Sequence, residues 1–493
     1  MKKKLKGLSD IRRHFHRNSV PTYFVGATPF NLLGMDEWVG NFTFVNYIDC
    51  FDGTHPHVFV PTEKPHPVFQ SIEEITNYLL AHEEFAELVK MNAKRASGTR
   101  GNVVFLFFDE ESERLCKKLG LKVCFPSARL RTKIDNKIMT TRIGNDAGVK
   151  SVPNALSRVK SYDDLMAIAK RKRLGEDLVV QTAFGDSGHT TFFISSLKEY
   201  KPHAEEIERE KEVKIMKRVR CRGSALEACV TRHGTIVGPL MTEIVGFKEL
   251  TPYKGGWAGN EVFQEAFPQN VRDFARKSAF KIGEALRKHR YLGYFEVDFL
   301  TDQDTGDVYL GEINPRITGA SSMTNLAAFA HADAPLFLFH LLEFSGASFD
   351  LDVNEINQRW SDKDNIDDWS QLVIKHTGKE IEQITAAPRS GVWELKKDGA
   401  IEFSRAQTHR RTVHREDRAF WLRIANKGDW FYEGADLGIL VTPGRLMGKN
   451  FRLTDRARGW IKGIRAQYEG APVSKQKQAR VEQEVIVGGF KLL

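Results

Sequence analysis

The sequence is most informative in two neighbouring segments, YFEVD at 294–298 and YLGEINPR at 309–316. Both segments mix apolar and polar residues with the period of a β-strand that has one buried face. The residues between them include DQDTG at 302–306, which is typical of a turn. We therefore predict two adjacent antiparallel strands joined as a hairpin.

Acidic side chains gather on one face of this predicted hairpin. Residues two apart in a strand point the same way, so Glu296 and Asp298 share a face, as do Glu312 and Asn314. Buried like charges repel unless a cation lies between them. Mg²⁺ fits this need, because it is usually held by one or two carboxylates together with phosphate oxygens. Arg316 would then reach a phosphate or a carboxylate through its planar guanidinium group. The alternative is an ordinary hairpin whose acidic side faces solvent.

Length and composition are those of a soluble globular protein. The chain has 493 residues, of which 41% are hydrophobic and 28% charged, and this excludes disorder over most of its length. No run of about 18 apolar residues predicts a membrane span. The basic start MKKKLKGLSDIRRHF has no apolar stretch after it, so it is not a secretory signal. The 5 cysteines fit neither a disulfide framework nor a zinc site, and we expect a cytoplasmic protein.

The net charge of +9 is a modest excess for so long a chain. It suits an anionic ligand such as a nucleotide or an acidic substrate. Basic residues cluster in the first 17 residues and at 405–423, but such clusters are usually solvated faces. The sequence therefore does not favour a nucleic-acid partner.

Strands and helices alternate in the first part of the chain, after a basic arm at 1–19. Apolar strands at 23–25, 42–50 and 103–108 are separated by helical segments, the longest at about 72–91. This alternation predicts a parallel α/β lobe over about 20–130. The lobe has no GxGxxG motif, so a dinucleotide site is not supported.

Two further units are predicted beyond this lobe. The unit at 131–345 begins with a helix for which Asp135 is a plausible N-cap and which ends at Gly148. It continues with the predicted strands that carry the acidic hairpin. From about 346 to 465, short strands alternate with polar turns, which predicts a separate, mostly β domain. The tail at 466–493 has no assigned role.

A glycine-containing loop, Gly185-Asp186-Ser187-Gly188, lies between two predicted strands. Glycines let backbone N–H groups approach phosphate oxygens closely. A plain turn would have the same composition. The phosphate-binding interpretation is therefore supported only by the position of the loop, about 110 residues before the acidic pair. Lys137 precedes the loop and Lys217 follows it, but single lysines are mostly solvated.

Together these segments resemble the ATP-grasp superfamily, most closely its biotin-carboxylase-like and carboxylate–amine ligase branches. The resemblance covers about residues 20–460. It implies a fold of the α/β and α+β classes with a pre-ATP-grasp α/β lobe, two lobes that clasp ATP with a hinge near 215–219, and a β-rich C-terminal domain. The C-terminal segment AAPRSGVWELKKDGAIEF is similar to the β-rich domain of biotin carboxylase.

The resemblance also implies roles for individual residues. Lys137 would be the first phosphate-binding lysine, and Gly185, Ser187 and Gly188 would cover the phosphates. The backbone at the hinge would read adenine. The metal, Mg²⁺ or Mn²⁺, would lie between two carboxylates and an amide, and an arginine would steady an acyl-phosphate. The hinge residues would be Met216, Lys217 and Val219. The metal ligands would be Glu296, Glu312 and Asn314, with Asp298 as the substitute for Glu296. The arginine would be Arg316.

The sequence departs from the family pattern at two places. Gln181 stands where many relatives have a second lysine, and a glutamine supplies no charge. Biotin carboxylase follows its asparagine and arginine with a Gln-Val-Glu-His segment that handles bicarbonate. Here that segment is ITGASSM at 317–323, which contains no such base.

The resemblance therefore implies an ATP-dependent, ADP-forming ligase. It would activate a carboxylate as an acyl-phosphate and join it to an amine, as in an amino acid or a short peptide. The partners would be these two small molecules, and related enzymes are often homodimers. Two alternatives stay open: a carboxylase that uses bicarbonate with another acceptor, and a nucleotide-binding protein with little turnover.

Overall fold

A computed structural model shows the fold and describes residues 4–62, 69–184, 190–326 and 333–484. Within these ranges, no helix has the length and apolar character needed to span a bilayer.

The first lobe contains a five-stranded parallel sheet. Its elements are β1 Leu5–Lys6, α1 Gly7–His16, β2 Thr22–Gly26, β3 Phe42–Asn46, β4 Val58–Phe59, α2 Ile72–Ala81, α3 Glu83–Arg95, β5 Asn102–Phe105, α4 Glu110–Leu119 and β6 Lys122–Val123. The strand order is β4-β3-β2-β5-β6, and all pairs are parallel. The central strand β2 is buried at every residue. The predicted parallel lobe is confirmed, although the predicted strands at 42–50 and 103–108 end earlier, at Asn46 and Phe105.

The predicted helix at 72–91 is two helices in the structure. His82 separates α2 from α3 with an extended backbone, and its Nδ1 accepts a hydrogen bond from the backbone N–H of Glu84. Apolar spacing continues across this junction, so periodicity alone does not reveal the break.

The second unit begins with a four-stranded antiparallel sheet. Its elements are α5 Ala128–Ile134, α6 Lys137–Asp146, β7 Asn154–Ser157, α7 Tyr162–Lys172, β8 Leu178–Gln181, β9 Thr191–Ile194, α8 Leu197–Tyr200, α9 Ala204–Arg209 and β10 Val213–Lys217. The strand order is β7-β10-β8-β9. The prediction that Asp135 caps α6 is wrong. Asn136 is the N-cap and accepts hydrogen bonds from the backbone N–H groups of Ile138 and Met139. Asp135 is instead the C-cap of α5 and has helical backbone angles.

The acidic hairpin lies at one edge of a long antiparallel sheet. The elements here are β11 Cys221–Thr231, β12 Gly234–Val245, β13 Trp257–Val262, α10 Gln269–Lys288, β14 Gly293–Asp302, β15 Val308–Asn314, α11 Ser321–Thr324 and α12 Leu336–Phe344. The strand order is β15-β14-β11-β12-β13. Strands β14 and β15 form the predicted antiparallel hairpin.

The C-terminal part is rich in strands, as predicted, but it is not separate from the sheet before it. Its elements are β16 Phe349–Asp350, α13 Val353–Arg359, β17 Trp369–Lys375, β18 Glu382–Ala386, β19 Gly391–Leu395, β20 Ile401–Arg405, β21 Arg418–Arg423, β22 Trp430–Phe431, β23 Asp436–Pro443, α14 Asp455–Arg465, β24 Glu469–Pro472 and α15 Lys475–Glu484. Strand β17 pairs with β13, and the sheet continues through β23, β21, β19 and β20. One ten-stranded sheet therefore joins the acidic hairpin to the C-terminal strands.

Candidate active site

The acidic side chains of β14 and β15 form one cluster. Glu296 lies opposite Asn314, and Asp298 lies opposite Glu312. The side-chain Nδ2 of Asn314 lies 3.1 Å from a carboxylate oxygen of Glu296 and 3.1 Å from one of Asp298. Its Oδ1 accepts a hydrogen bond of 3.0 Å from Arg316. The structure thus brings together all the residues that the sequence analysis assigned to metal binding, including both Glu296 and Asp298.

The three acids of this cluster differ in the direction of their pKa shifts. Burial strongly raises the pKa of Glu296, and the nearby carboxylate of Glu227 adds to the effect. Burial and the carboxylate of Glu296 likewise raise the pKa of Asp298. For Glu312, burial also favours the neutral form, but the cations of Lys137 and Arg316 outweigh it and lower the pKa. The lysine and the arginine therefore favour the ionised form of Glu312 more than burial opposes it, whereas burial and neighbouring carboxylates dominate at Glu296 and Asp298.

Mg²⁺ and Mn²⁺ take hard oxygen ligands, and the carboxylates at 296, 298 and 312 and the amide of Asn314 are of that kind. Within the described residues, no group of three or more His, Cys, Asp or Glu side chains is already arranged around a metal position. Asn314 turns its nitrogen towards the acids, so its oxygen would become a ligand only after the amide rotates. Glu296 and Glu312 would hold the ion. Asp298 could replace Glu296 as a ligand, because both carboxylates lie 3.1 Å from the amide nitrogen of Asn314.

Two lysines face this cluster. Lys137 begins α6, and its Nζ lies 3.3 Å from a carboxylate oxygen of Glu312. Lys214 lies on β10, directly opposite Gln181 of β8, and its residue is only 1% exposed. Burial lowers the pKa of Lys214 to about 8, although the carboxylate of Glu312 acts in the opposite direction.

One cavity of about 230 Å³ joins the lysines to the acids. Its lining includes Lys137, Lys214 and Gln181 together with Asp298, Glu312 and Glu243. Two larger surface grooves lie around Asp350–Val353 and contain none of these residues.

An apolar patch adjoins the cavity. Val152, Val179 and Met216 form a small buried cluster, and Val219, Leu300 and Tyr309 pack against it. Met216 and Leu300 also line the cavity. The cavity therefore has apolar lining from Met216 and Leu300 beside its lysines and acids.

No protein-family model matches this sequence, and no curated protein matches it. Solved structures do match. Biotin carboxylase from Campylobacter jejuni, in a nucleotide complex, superposes with a TM-score of 0.61 at 12% identity over 94% of this chain and 96% of its own. Phosphoribosylamine–glycine ligase from Thermotoga maritima gives 0.55 at 13% identity over 92% and 97%. N5-carboxyaminoimidazole synthetase from Staphylococcus aureus, complexed with ADP, gives 0.51 at 12% identity over 90% and 97%. The chain has the ATP-grasp fold.

The predicted hinge of the ATP-grasp fold lies where β10 ends and β11 begins. Met216 turns its side chain into the apolar patch, whereas Lys217 is exposed and donates its backbone N–H to the carbonyl of Pro153 at 3.0 Å. Val219 packs against the same patch. Gln181 donates a hydrogen bond of 3.1 Å to the hydroxyl of Thr191 across the sheet. The loop residues Gly185, Ser187 and Gly188 lie outside the described residues.

Three charged residues near the acidic cluster were not predicted from the sequence: Lys214, Glu227 and Glu243. Glu227 lies opposite Glu296 on β11 and accepts hydrogen bonds from the hydroxyls of Tyr294, Ser321 and Thr318. Glu243 has a pKa raised to about 7 by burial and by the carboxylate of Glu312. Lys214 and Glu227 each stand between two apolar neighbours in a strand segment, as in SALEACV, and this pattern is the sequence signal for an inward-facing charge.

Proposed function

We propose that the protein is an ATP-dependent ligase that activates a carboxylate as an acyl-phosphate and joins it to an amine. ADP and inorganic phosphate would be the other products. The observation that carries the proposal is the cavity whose lining combines the two lysines Lys137 and Lys214 with the carboxylates of Glu243, Asp298 and Glu312. That arrangement complements a metal-bound polyphosphate, which presents anionic oxygens to the lysines and its metal ion to the acids.

The apolar patch supports adenine as the base. Met216, Val179 and Leu300 would contact the two faces of a flat ring, and the backbone from Met216 to Val219 would read its edge. The phosphates would then extend towards Lys137. Among the solved structures of this fold, biotin carboxylase and N5-carboxyaminoimidazole synthetase were determined with adenine nucleotides bound.

The chemistry needs positioning and charge rather than a side-chain nucleophile. A substrate carboxylate oxygen attacks the γ-phosphorus of ATP, and the β–γ bridging oxygen leaves with ADP. Bound Mg²⁺ would offset the charge on the phosphate oxygens. Arg316, which donates a hydrogen bond to Asn314, would hold the acyl-phosphate, and Lys137, which pairs with Glu312, would hold the phosphates. The amine then attacks the acyl carbon, loses a proton, and phosphate leaves.

The residues after Arg316 favour an amine over biotin as the acceptor. The segment ITGASSM at 317–323 contains no acid–histidine pair. Two of its hydroxyls, those of Thr318 and Ser321, donate hydrogen bonds to Glu227. A base for bicarbonate chemistry is therefore absent from the place where biotin carboxylase has one. A bicarbonate-using carboxylase is the main competing function.

Product analysis over a substrate panel tests the proposal. Purified protein, ATP and MgCl₂ are incubated with panels of amino acids, short peptides and other carboxylates, singly and in pairs, with and without bicarbonate. We expect ADP release that rises only when a carboxylate and an amine are both present. Release that depends on bicarbonate alone would assign the protein to the carboxylases, and nucleotide binding without release under any condition would remove the enzymatic assignment.

A further inference from the structure

We propose that Lys214 binds the phosphates of the nucleotide and supplies, from strand β10, the positive charge that Gln181 of β8 lacks. This inference rests on the proposed function only in taking a nucleoside polyphosphate as the ligand of the cavity.

The first support is the register of the small antiparallel sheet. Lys214 and Gln181 are direct cross-strand partners, and such partners project from the same face of a sheet. Both side chains line the cavity that also contains Lys137. Moving a lysine from position 181 to position 214 therefore shifts its ammonium group by about the spacing of two neighbouring strands, roughly 5 Å, which a long flexible side chain can span.

The second support is the environment of the ammonium group. Lys214 is 1% exposed, and in the described part of the chain no ion pair involves it. Glu312 attracts it from beyond ion-pair distance and already pairs with Lys137. A buried ammonium group without a close anion is costly, and an anionic ligand in the cavity would offset that cost.

The third support is the charge pattern of the cavity as a whole. A side chain serving only the sheet would face the apolar core, as Val213 and Ile215 do on the other face of β10. Lys214 instead lines the cavity, together with Lys137, Glu312 and Asp298. Two ammonium groups there match the several negative charges of a di- or triphosphate.

Binding of adenosine, ADP and ATP to the purified protein in the presence of Mg²⁺ tests the inference. We expect Lys214→Gln and Lys214→Met to weaken ADP and ATP binding at least about tenfold, while adenosine, which has no phosphate, binds within about twofold of the wild type. Lys214→Arg should keep most of the affinity. The control is Lys198→Gln, which removes an exposed lysine of α8 in the same unit and should change nothing.

A relocation variant tests the equivalence of the two positions. Lys214→Gln combined with Gln181→Lys should recover ADP affinity to within about threefold of the wild type, because the charge returns to the same cavity from the adjacent strand. Unchanged ADP binding in Lys214→Gln, or an equal loss of adenosine and ADP binding, would overturn the inference, as would a relocation variant no better than the single one. A wild-type protein that binds no nucleotide would instead overturn the proposed function.

Discussion

Glu312 is the acid of the cluster that the protein keeps ionised. It lies between Lys137, at 3.3 Å, and the hairpin partner Asp298, and its pKa is lowered although burial opposes ionisation. Burial and neighbouring carboxylates instead raise the pKa values of Glu296 and Asp298. A metal-dependent reaction should therefore be most sensitive to the loss of this one carboxylate.

We predict that Glu312→Gln lowers ATP turnover by about a thousandfold or more while the protein stays folded. Losing a full ligand charge should remove about 4 kcal/mol of transition-state stabilisation. Magnesium-dependent ADP formation, with circular dichroism as the folding check, measures the effect. Asp307→Asn, an exposed acid near the turn of the same hairpin, is the matched control and should leave turnover unchanged. Near-normal turnover in Glu312→Gln would show that the metal assignment is wrong.

The acidic residues could be predicted from the sequence because they lie two apart in a hairpin with a clear turn. Lys214, in contrast, stands in VKIMKRV among other lysines and arginines. The phosphate contact proposed for Lys214 rests on the pairing of β10 with β8. These two strands are more than thirty residues apart in the sequence. Local alternation shows which way a side chain points but not which strand lies beside it.

The junction of β13 and β17 holds the two halves of the molecule in one sheet. Gly259 pairs with Leu372 there, and its φ of +130° lies in the region that favours glycine. A Cβ at position 259 would lie 2.0 Å from the backbone oxygen of Gln371. Close approach of the two strands thus requires a residue without a side chain.

We predict that Gly259→Ala destabilises the protein by about 3 kcal/mol, because it combines backbone strain with a clash against main-chain atoms. The apparent Tm should fall by about 3–6 °C in a thermal melt. Gly255→Ala is the control, since that glycine is exposed and nothing lies within 4 Å of a Cβ placed there. Equal melting temperatures for the two variants would mean that the strands separate at Gly259 without cost.

At this scale, the sequence predicts element types better than element boundaries. The parallel lobe and the acidic hairpin follow directly from alternation. The break at His82 does not, because apolar residues at helix spacing continue across it. The N-cap at Asn136 does not either, because its neighbour Asp135 is also a residue type that caps helices. The continuity of the sheet at β13 and β17 also escapes a pattern analysis, since a run of strands reads alike whether it forms its own domain or extends another.

Across the whole molecule, the cleft is assembled from distant parts of the chain. Helix α6 supplies Lys137, the small sheet supplies Lys214 and Met216, and the large sheet supplies the acids. We propose that the ligand of this cavity is ATP and that the substrate carboxylate attacks its γ-phosphorus, which breaks the bond between the β- and γ-phosphates.

Transfer of oxygen from the carboxylate substrate tests that claim most directly. A carboxylate that supports ADP release is labelled with ¹⁸O, and the reaction products with the matching amine are analysed by mass spectrometry. Attack on the γ-phosphorus leaves one labelled oxygen in the inorganic phosphate when the amine displaces it. We predict singly labelled phosphate and unlabelled ADP. Label in AMP would show attack on the α-phosphorus and would contradict the account, as would phosphate that carries no label.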